Sequence, residues 1–222
     1  MSIGHKILIR IAGCAAALAM LCCAMYSMGF FYIQDVREVE AQPDPFGGFY
    51  TGQLIDGVMN GNCEIVYKNG DRYKGSVANG EYSGAGLFTA AAGWSYEGEF
   101  LRGLPHGHGV FTDEAGGIFI GDFVSGKIMG EGAFEPHTGW NYDGMWDQGR
   151  QTGEGTFSYE DGSMYTGEFK DGAASGIGKY TDAEGWNYEG GFSQGLFEGE
   201  GTLVFANGEK IKGKWSEGLL VK

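Results

Sequence analysis

The chain has 222 residues, 43 of them glycine and 14% aromatic, with a formal net charge of −14. Glycine this far above the usual ~7%, with no three-residue period, excludes collagen, and the aromatic content excludes a disordered linker. The acidic balance excludes a nucleic-acid binder, which needs a basic footprint.

Residues 1–10 are short and basic, with Lys6 and Arg10. Ile11 to Ile33 then runs without a charge. At about 1.5 Å rise per residue that run crosses a ~30 Å hydrocarbon core, and it predicts a transmembrane signal-anchor α-helix over 11–33. A cleaved signal peptide would need an apolar core of only ~7 to 15 residues, so length favours a retained anchor. Ile11-Ala12-Gly13-Cys14 has the letters of a lipoprotein cleavage box, but here the apolar run follows the cysteine instead of preceding it. Lys6 and Arg10 precede the span, whereas Asp35, Glu38 and Glu40, with one Arg37, follow it. That asymmetry predicts a single-pass membrane protein with its N-terminus cytoplasmic and the rest of the chain outside the cytoplasm. Cys14, Cys22 and Cys23 lie inside the span, which leaves Cys63 without a disulfide partner. Asp35 to Phe46 contains Pro43 and Pro45 and reads as polar, so 34–49 is assigned as a juxtamembrane linker.

From residue 50 onward the chain repeats every 23 residues. The first position of the unit carries Tyr50, Tyr73, Tyr96, Phe119, Tyr142, Tyr165, Tyr188 and Ile211. The fifth carries Leu54, Val77, Phe100, Phe123, Trp146, Phe169, Phe192 and Trp215. The sixteenth runs Ile65, Phe88, Phe111, Phe134, Phe157, Tyr180 and Leu203. Most glycines fall in five further columns: third, eighth, twelfth, fourteenth and twenty-first. Full units start at 50, 73, 96, 119, 142, 165 and 188, and a half unit starts at 211.

Parity assigns the local structure. In Tyr142-Asp143-Gly144-Met145-Trp146 the two rings and the glycine share one strand face, with Asp143 and Met145 on the other. Gly153-Glu154-Gly155-Thr156-Phe157 repeats the pattern, and Asp147–Thr152 turns the chain between them. Asn69-Gly70, Asp161-Gly162 and Asn207-Gly208 follow the second strand and favour tight hairpin turns. Each unit is therefore a β-hairpin, and hairpins pair edge to edge. The predicted fold is all-β: an elongated, single-layer, twisted antiparallel sheet, with residues 50–222 as one array and rings covering the bare glycine backbone. Roughly 15 strands at ~4.8 Å spacing would span roughly 70 Å.

This pattern resembles the MORN repeat family, whose unit is close to YxGxWxxGxxxGxG followed by about nine variable residues. The resemblance covers residues 50–218, and the first unit is the poorest match, with Leu54 in an aromatic column and Cys63 in a glycine column. It implies a non-enzymatic scaffold or protein-interaction module.

A second period lies on the first. Trp94, Trp140 and Trp186 recur every 46 residues, each in Gly-Trp-(Ser/Asn)-Tyr and two residues before Tyr96, Tyr142 and Tyr188. These six residues either end the aromatic core or form a binding face for an extended polymer or peptide. Carboxylates such as Glu97, Glu99, Glu168 and Glu200 scatter over the polar face and read as solubilising. No nucleophile elbow or phosphate loop occurs. His106 and His108 flank Gly107 with no third ligand evident, so no catalytic residue, metal or cofactor is assigned.

Three functional classes follow. The leading one is a membrane-anchored scaffold arm that binds another protein or its own copy. For self-association the obvious contact is the terminal strand edge at Ile211, Gly213 and Trp215, which would give a homodimer. The second is cell-envelope polysaccharide or peptide binding through the aromatic face. The third is phospholipid binding, which the charge opposes. Of 29 acidic and 15 basic residues, only Asp35, Glu38, Glu40, Asp44 and Lys6, Arg10, Arg37 precede residue 50, leaving 25 acidic against 12 basic.

Overall fold

In the computed structural model, residues 34–43 and 47–221 are described. The basic segment 1–10 and the anchor expected over 11–33 lie outside the described residues. No helix among the described residues is long and apolar enough to cross a membrane.

All regular structure described is strand. A leading strand β1 (Val36–Pro43) precedes seven hairpins. These are β2 (Phe49–Ile55) with β3 (Val58–Val66), β4 (Arg72–Ala78) with β5 (Glu81–Thr89), and β6 (Ser95–Leu101) with β7 (Leu104–Thr112). They continue with β8 (Ile118–Val124) and β9 (Lys127–Glu135), β10 (Asn141–Asp147) and β11 (Arg150–Ser158), and β12 (Met164–Lys170) and β13 (Ala173–Thr181). The last is β14 (Asn187–Ser193) with β15 (Leu196–Val204), followed by β16 (Lys210–Ser216) and the short β17 (Leu219–Leu220). Each strand pairs antiparallel with its neighbours in the chain, making one open 17-stranded meander.

The two strands beyond the expected count lie at the ends. Of the stretch 34–49 read as a linker, Val36–Pro43 form β1, which pairs with β2, Val39 opposite Gly52 and Gln42 opposite Tyr50. Val36 and Val39 are half-buried along the strand, while Glu38 and Glu40 are exposed. At the other end Leu220 pairs with Trp215, and the Val221 N–H reaches the Lys214 carbonyl at 2.8 Å.

Turn chemistry differs from the dipeptide expectation. The two-residue turns lie inside each unit, at Asp56-Gly57, Asn79-Gly80, Arg102-Gly103 and onward to Glu217-Gly218, with both residues at positive φ. That is the backbone whose twist matches antiparallel strands. Asn69-Gly70, Asp161-Gly162 and Asn207-Gly208 instead close three-residue loops between units. Tyr67 N–H reaches the Asp71 carbonyl at 2.8 Å, Gly70 N–H reaches the Tyr67 carbonyl at 3.0 Å, and Gly70 has φ +95.

The third and fourteenth glycines explain themselves at the ring. A Cβ on Gly155 would sit 2.5 Å from the Tyr142 hydroxyl, and one on Gly144 would sit 2.6 Å from both that hydroxyl and the Gly155 Cα. From the second unit on, each first-position ring thus lies flat on the paired glycines of its own unit, as expected, while Tyr50 lies over Gly52 paired with Cys63. The pair is followed by a bulge: opposite the single step Gly144–Met145, β11 runs from Gly155 back to Thr152. Beside the bulge the tyrosine hydroxyl donates to a carbonyl of its own strand. Tyr142 donates to Met145 O at 3.0 Å, Tyr73 to Ser76 O at 2.7 Å and Tyr165 to Glu168 O at 2.9 Å.

First- and fifth-position rings alternate along the sheet edge to face. Centroids are 5.1 Å apart for Tyr142–Trp146, 4.9 Å for Tyr142–Phe169, 5.1 Å for Tyr165–Phe169 and 4.7 Å for Tyr165–Phe192. Each such pair contributes about 0.5–1.5 kcal/mol beyond its area burial. Tyr73, Tyr142 and Tyr188 are 0% exposed. The core of this single layer is therefore a ladder of rings running the length of one face.

Candidate functional site

The ring ladder is not equally covered along its length. The tenth position of each unit lies across the strand pair from the fifth. Tyr82 there stacks on Tyr73 at 3.8 Å and 13°, and Phe197 stacks on Tyr188 at 3.8 Å and 11°. In β13 the position is Ala174, opposite Phe169. Its small side chain leaves an apolar depression of about 450 Å³, floored by Tyr165 and Phe169 and walled by Tyr159, Tyr180, Trp186 and Phe197. Burial pushes the phenols of Tyr159 and Tyr180 above their ordinary range, so both stay neutral donors at physiological pH. The Tyr180 hydroxyl meets Asp182 Oδ2 at 3.3 Å. Such a wall of rings with a few fixed polar tips suits an inserted apolar side chain.

The three period-46 tryptophans lie at the between-unit loop end of the same face. Trp140 sits between Phe134 and Phe157, with centroids at 5.5 and 5.0 Å, and stacks on the latter at 16°. Trp94 stacks on Phe88 at 5.1 Å, and Trp186 packs on Tyr180 at 5.2 Å. All three are half-buried and present ring surface. Tyr96, Tyr142 and Tyr188 do not. At 2%, 0% and 0% exposure they lie under the ladder, and no ligand reaches them without opening it. Trp94 also borders a shallow hollow of about 410 Å³ with Phe111, Asp113, Glu114 and Ala115.

The alternation has a local cause. Three of the four loop ends that lack the tryptophan carry Tyr67, Tyr159 or Phe205 four residues earlier, and Tyr159 packs on Phe157 at 4.7 Å; the fourth, at Gly117, has Asp113 there.

The sequence reading missed the depression because its signal is a small residue. Pro105, Ile128, Gln151 and Ala174 occupy the tenth position between the two stacked rings. Reading that column for the absence of bulk would have found the opening.

At the C-terminal end, Trp215 is buried as the last rung, 5.3 Å from Tyr188, with its indole N–H on Gly201 O at 3.4 Å. Ile211 and Gly213 are half-buried on the same face, and Lys210, Lys212 and Lys214 are exposed on the other. The edge is narrower than Ile211–Trp215, because β17 pairs with Trp215 and Ser216. Among the described residues no strand pairs with the outer side of Lys210–Gly213.

His106 and His108 are both on the polar face, His106 opposite Glu99 and His108 Nδ1 3.2 Å from Asp122 Oδ1. Among the described residues no group of three or more His, Cys, Asp or Glu is placed to hold a metal ion. Cys63 is buried between β2 and β4, and burial pushes its thiol up to about 11.

Comparison with known proteins agrees with the repeat register. A family model for the MORN repeat matches residues 50–72, 96–118, 119–135, 142–164, 165–186 and 188–210. It passes over 73–95, where Val77 takes the fifth position, although β4 and β5 have the same build as their neighbours. The first unit, with its Leu54 and Cys63, is matched. Among solved structures, the SAS-4 (dCPAP) TCP domain of Drosophila melanogaster, in complex with a proline-rich motif of Ana2 (dSTIL), is similar at 13% identity and a TM-score of 0.45. That likeness covers 95% of this chain and 100% of the other. The TCP10c domain of Drosophila melanogaster Sas-4 is similar at 13% identity and a TM-score of 0.42, covering 82% and 99%. No curated protein matches. The six matched units, together with the ring-on-glycine hairpins that they encode, establish that this chain belongs to the MORN repeat family.

Proposed function

We propose that this array is a non-enzymatic scaffold arm, tethered to a membrane through Ile11–Ile33 and displayed outside the cytoplasm. It binds another protein, which inserts an apolar side chain into the depression over Ala174. The observation that carries the reading is the depression itself. Its floor is a ladder already ordered by its own packing, so a partner's side chain gains apolar burial while the arm loses little freedom. Ala174→Phe tests it, because the added ring fills the depression from a position that already carries a ring in two other units. Crosslinking in intact cells, compared between wild type and Ala174→Phe at equal melting temperature, should lose a discrete protein adduct in the variant. An unchanged set of adducts would refute the depression as the binding site. Digestion of the array by added protease in intact cells, with a lysed control that must be cut, tests the orientation. Protection until lysis would place the arm in the cytoplasm.

One observation favours a second reading, retention of an envelope polysaccharide: at Trp94 an accessible indole stands beside Asp113 and Glu114. Replacing Trp94, Trp140 and Trp186 by alanine separates the two roles. Lost polymer retention at an unchanged melting temperature means ligand contact, and a lowered melting temperature with retention intact means core capping.

A further inference from the structure

The depression over Ala174 adjoins a second hollow of different character, and the two share one wall, Trp186. On one side of the indole lies the apolar depression, floored by Tyr165 and Phe169. On the other lies a hollow of about 360 Å³ that holds Phe205, Glu184 and Glu209. The indole is half-buried between them, and both glutamates are exposed.

Charge at this end has a single sign. The loops 159–163, 182–186 and 205–209 carry Glu160, Asp161, Asp182, Glu184 and Glu209, with no lysine or arginine. Asp161 and Asp182 are held by their own loops, where Asp161 Oδ1 accepts from the Ser163 N–H and Asp182 Oδ1 from the Glu184 N–H, each at 2.8 Å. The side chains of Glu184 and Glu209 make no hydrogen bond or ion pair among the described residues. The turn end of the depression carries both signs instead: Asp171 meets Arg150 at 3.6 Å, and Lys170 precedes it.

We propose that the partner enters as an extended segment whose apolar side chain fills the depression and whose arginine or lysine crosses Trp186 to reach Glu184 and Glu209. This rests on the depression being the docking site and adds the chemistry of what docks there. An indole face attracts a cation, and the carboxylates beyond it offer charge-assisted hydrogen bonds without giving up any contact of their own. An acidic residue at the same place would meet only like charge.

Register sets the spacing. Ala174 lies opposite Phe169, and Tyr180 lies opposite Tyr165. Four strand steps, about 13 Å, therefore separate the floor under Ala174 from the ring that packs on Trp186. A segment lying along the strands covers that distance in about four residues.

The test titrates full-length protein in detergent with a fluorescein-labelled Gly-Ser peptide holding Leu and Arg four residues apart. The control peptide carries Glu in place of Arg, and fluorescence anisotropy reads both. The Leu–Arg peptide should bind wild type about fivefold or more tightly than the Leu–Glu peptide at low salt, and the gap should close at about 0.5 M salt. Glu184→Gln combined with Glu209→Gln, at an unchanged melting temperature, should bring the two peptides together, whereas Ala174→Phe should weaken both. Equal binding of the two peptides to wild type, with both weakened by Ala174→Phe, would overturn the basic residue and leave the depression as the docking site. An Arg preference that survives the double glutamine variant would also overturn it, because the charge would then be read elsewhere. Binding of neither peptide at millimolar concentration would overturn the basic residue and the apolar anchor together.

Discussion

The first position of the unit offers a two-way test, because one unit lacks the hydroxyl that the others use. Tyr142 donates to Met145 O at 3.0 Å from a fully buried ring beside the bulge. Tyr142→Phe removes that bond. A lost hydrogen bond costs about 0.5–1.5 kcal/mol. The expected loss is about 1 kcal/mol. Phe119 occupies the same position, with its ring on Gly121 and Gly132, and the equivalent carbonyl is that of Asp122. Phe119→Tyr should therefore gain about 1 kcal/mol. For a domain of this size each kcal/mol moves the melting temperature by about 2–4 °C. Thermal unfolding of the two variants by circular dichroism should shift in opposite directions. If Phe119→Tyr lowers the midpoint, or Tyr142→Phe leaves it unmoved, the hydroxyl is not what selects tyrosine in this column.

Other perturbations follow from the same geometry. Gly155→Ala places a Cβ 2.5 Å from the Tyr142 hydroxyl and should cost about 3 kcal/mol or more, read as a collapse of the denaturation midpoint. Arg102 and Gln148 hold φ +52 and +50 in two-residue turns, so Arg102→Asn or Gln148→Asn should each raise stability by about 0.5–1 kcal/mol in urea titration. Trp140→Ala opens the stack between Phe134 and Phe157 and should cost about 2 kcal/mol by the same titration. Burial pushes Tyr50, Tyr142 and Tyr165 up to about 12 from an ordinary 10.0. The unfolded chain then releases protons first. Stability is full below pH 10 and falls as pH rises toward 12, so tyrosinate absorbance and loss of strand signal should appear together in that window.

Much of this architecture is visible in the sequence because the repeat puts a ring and two glycines at fixed spacing. Tyr142, Gly144 and Gly155 predict their own contact. The ends of the array are not visible in that way. β1 carries no first-position ring and no glycine pair, and its valines, three apart, show no strand alternation, so beside Pro43 and Pro45 it reads as a linker. The turns are placed by the sequence but not typed: Asp147–Thr152 does turn the chain, yet Arg102, Gln148 and Gln194 are poor turn formers, held at positive φ by the hairpins on either side. Asn69-Gly70, the stronger local signal, belongs to the longer loop. The candidate binding face was only half legible. Spacing identifies Trp94, Trp140 and Trp186, but it does not show that their companions Tyr96, Tyr142 and Tyr188 are sealed beneath other rings. Nor does it show an opening defined by the smallness of Ala174.

Each strand of the meander pairs only with its neighbours in the chain. A hairpin leaving the ribosome therefore finds its whole complement of partners in the residues made just before it, so the arm can zip up vectorially at low contact order. The same locality makes length an adjustable dimension. Excising one 23-residue unit would set two loop ends of the same kind side by side and break the alternation of Trp140 with Tyr159. Excising 46 residues would preserve it. The arm is a ruler graduated in pairs of hairpins, and its natural step is four strands, about 19 Å.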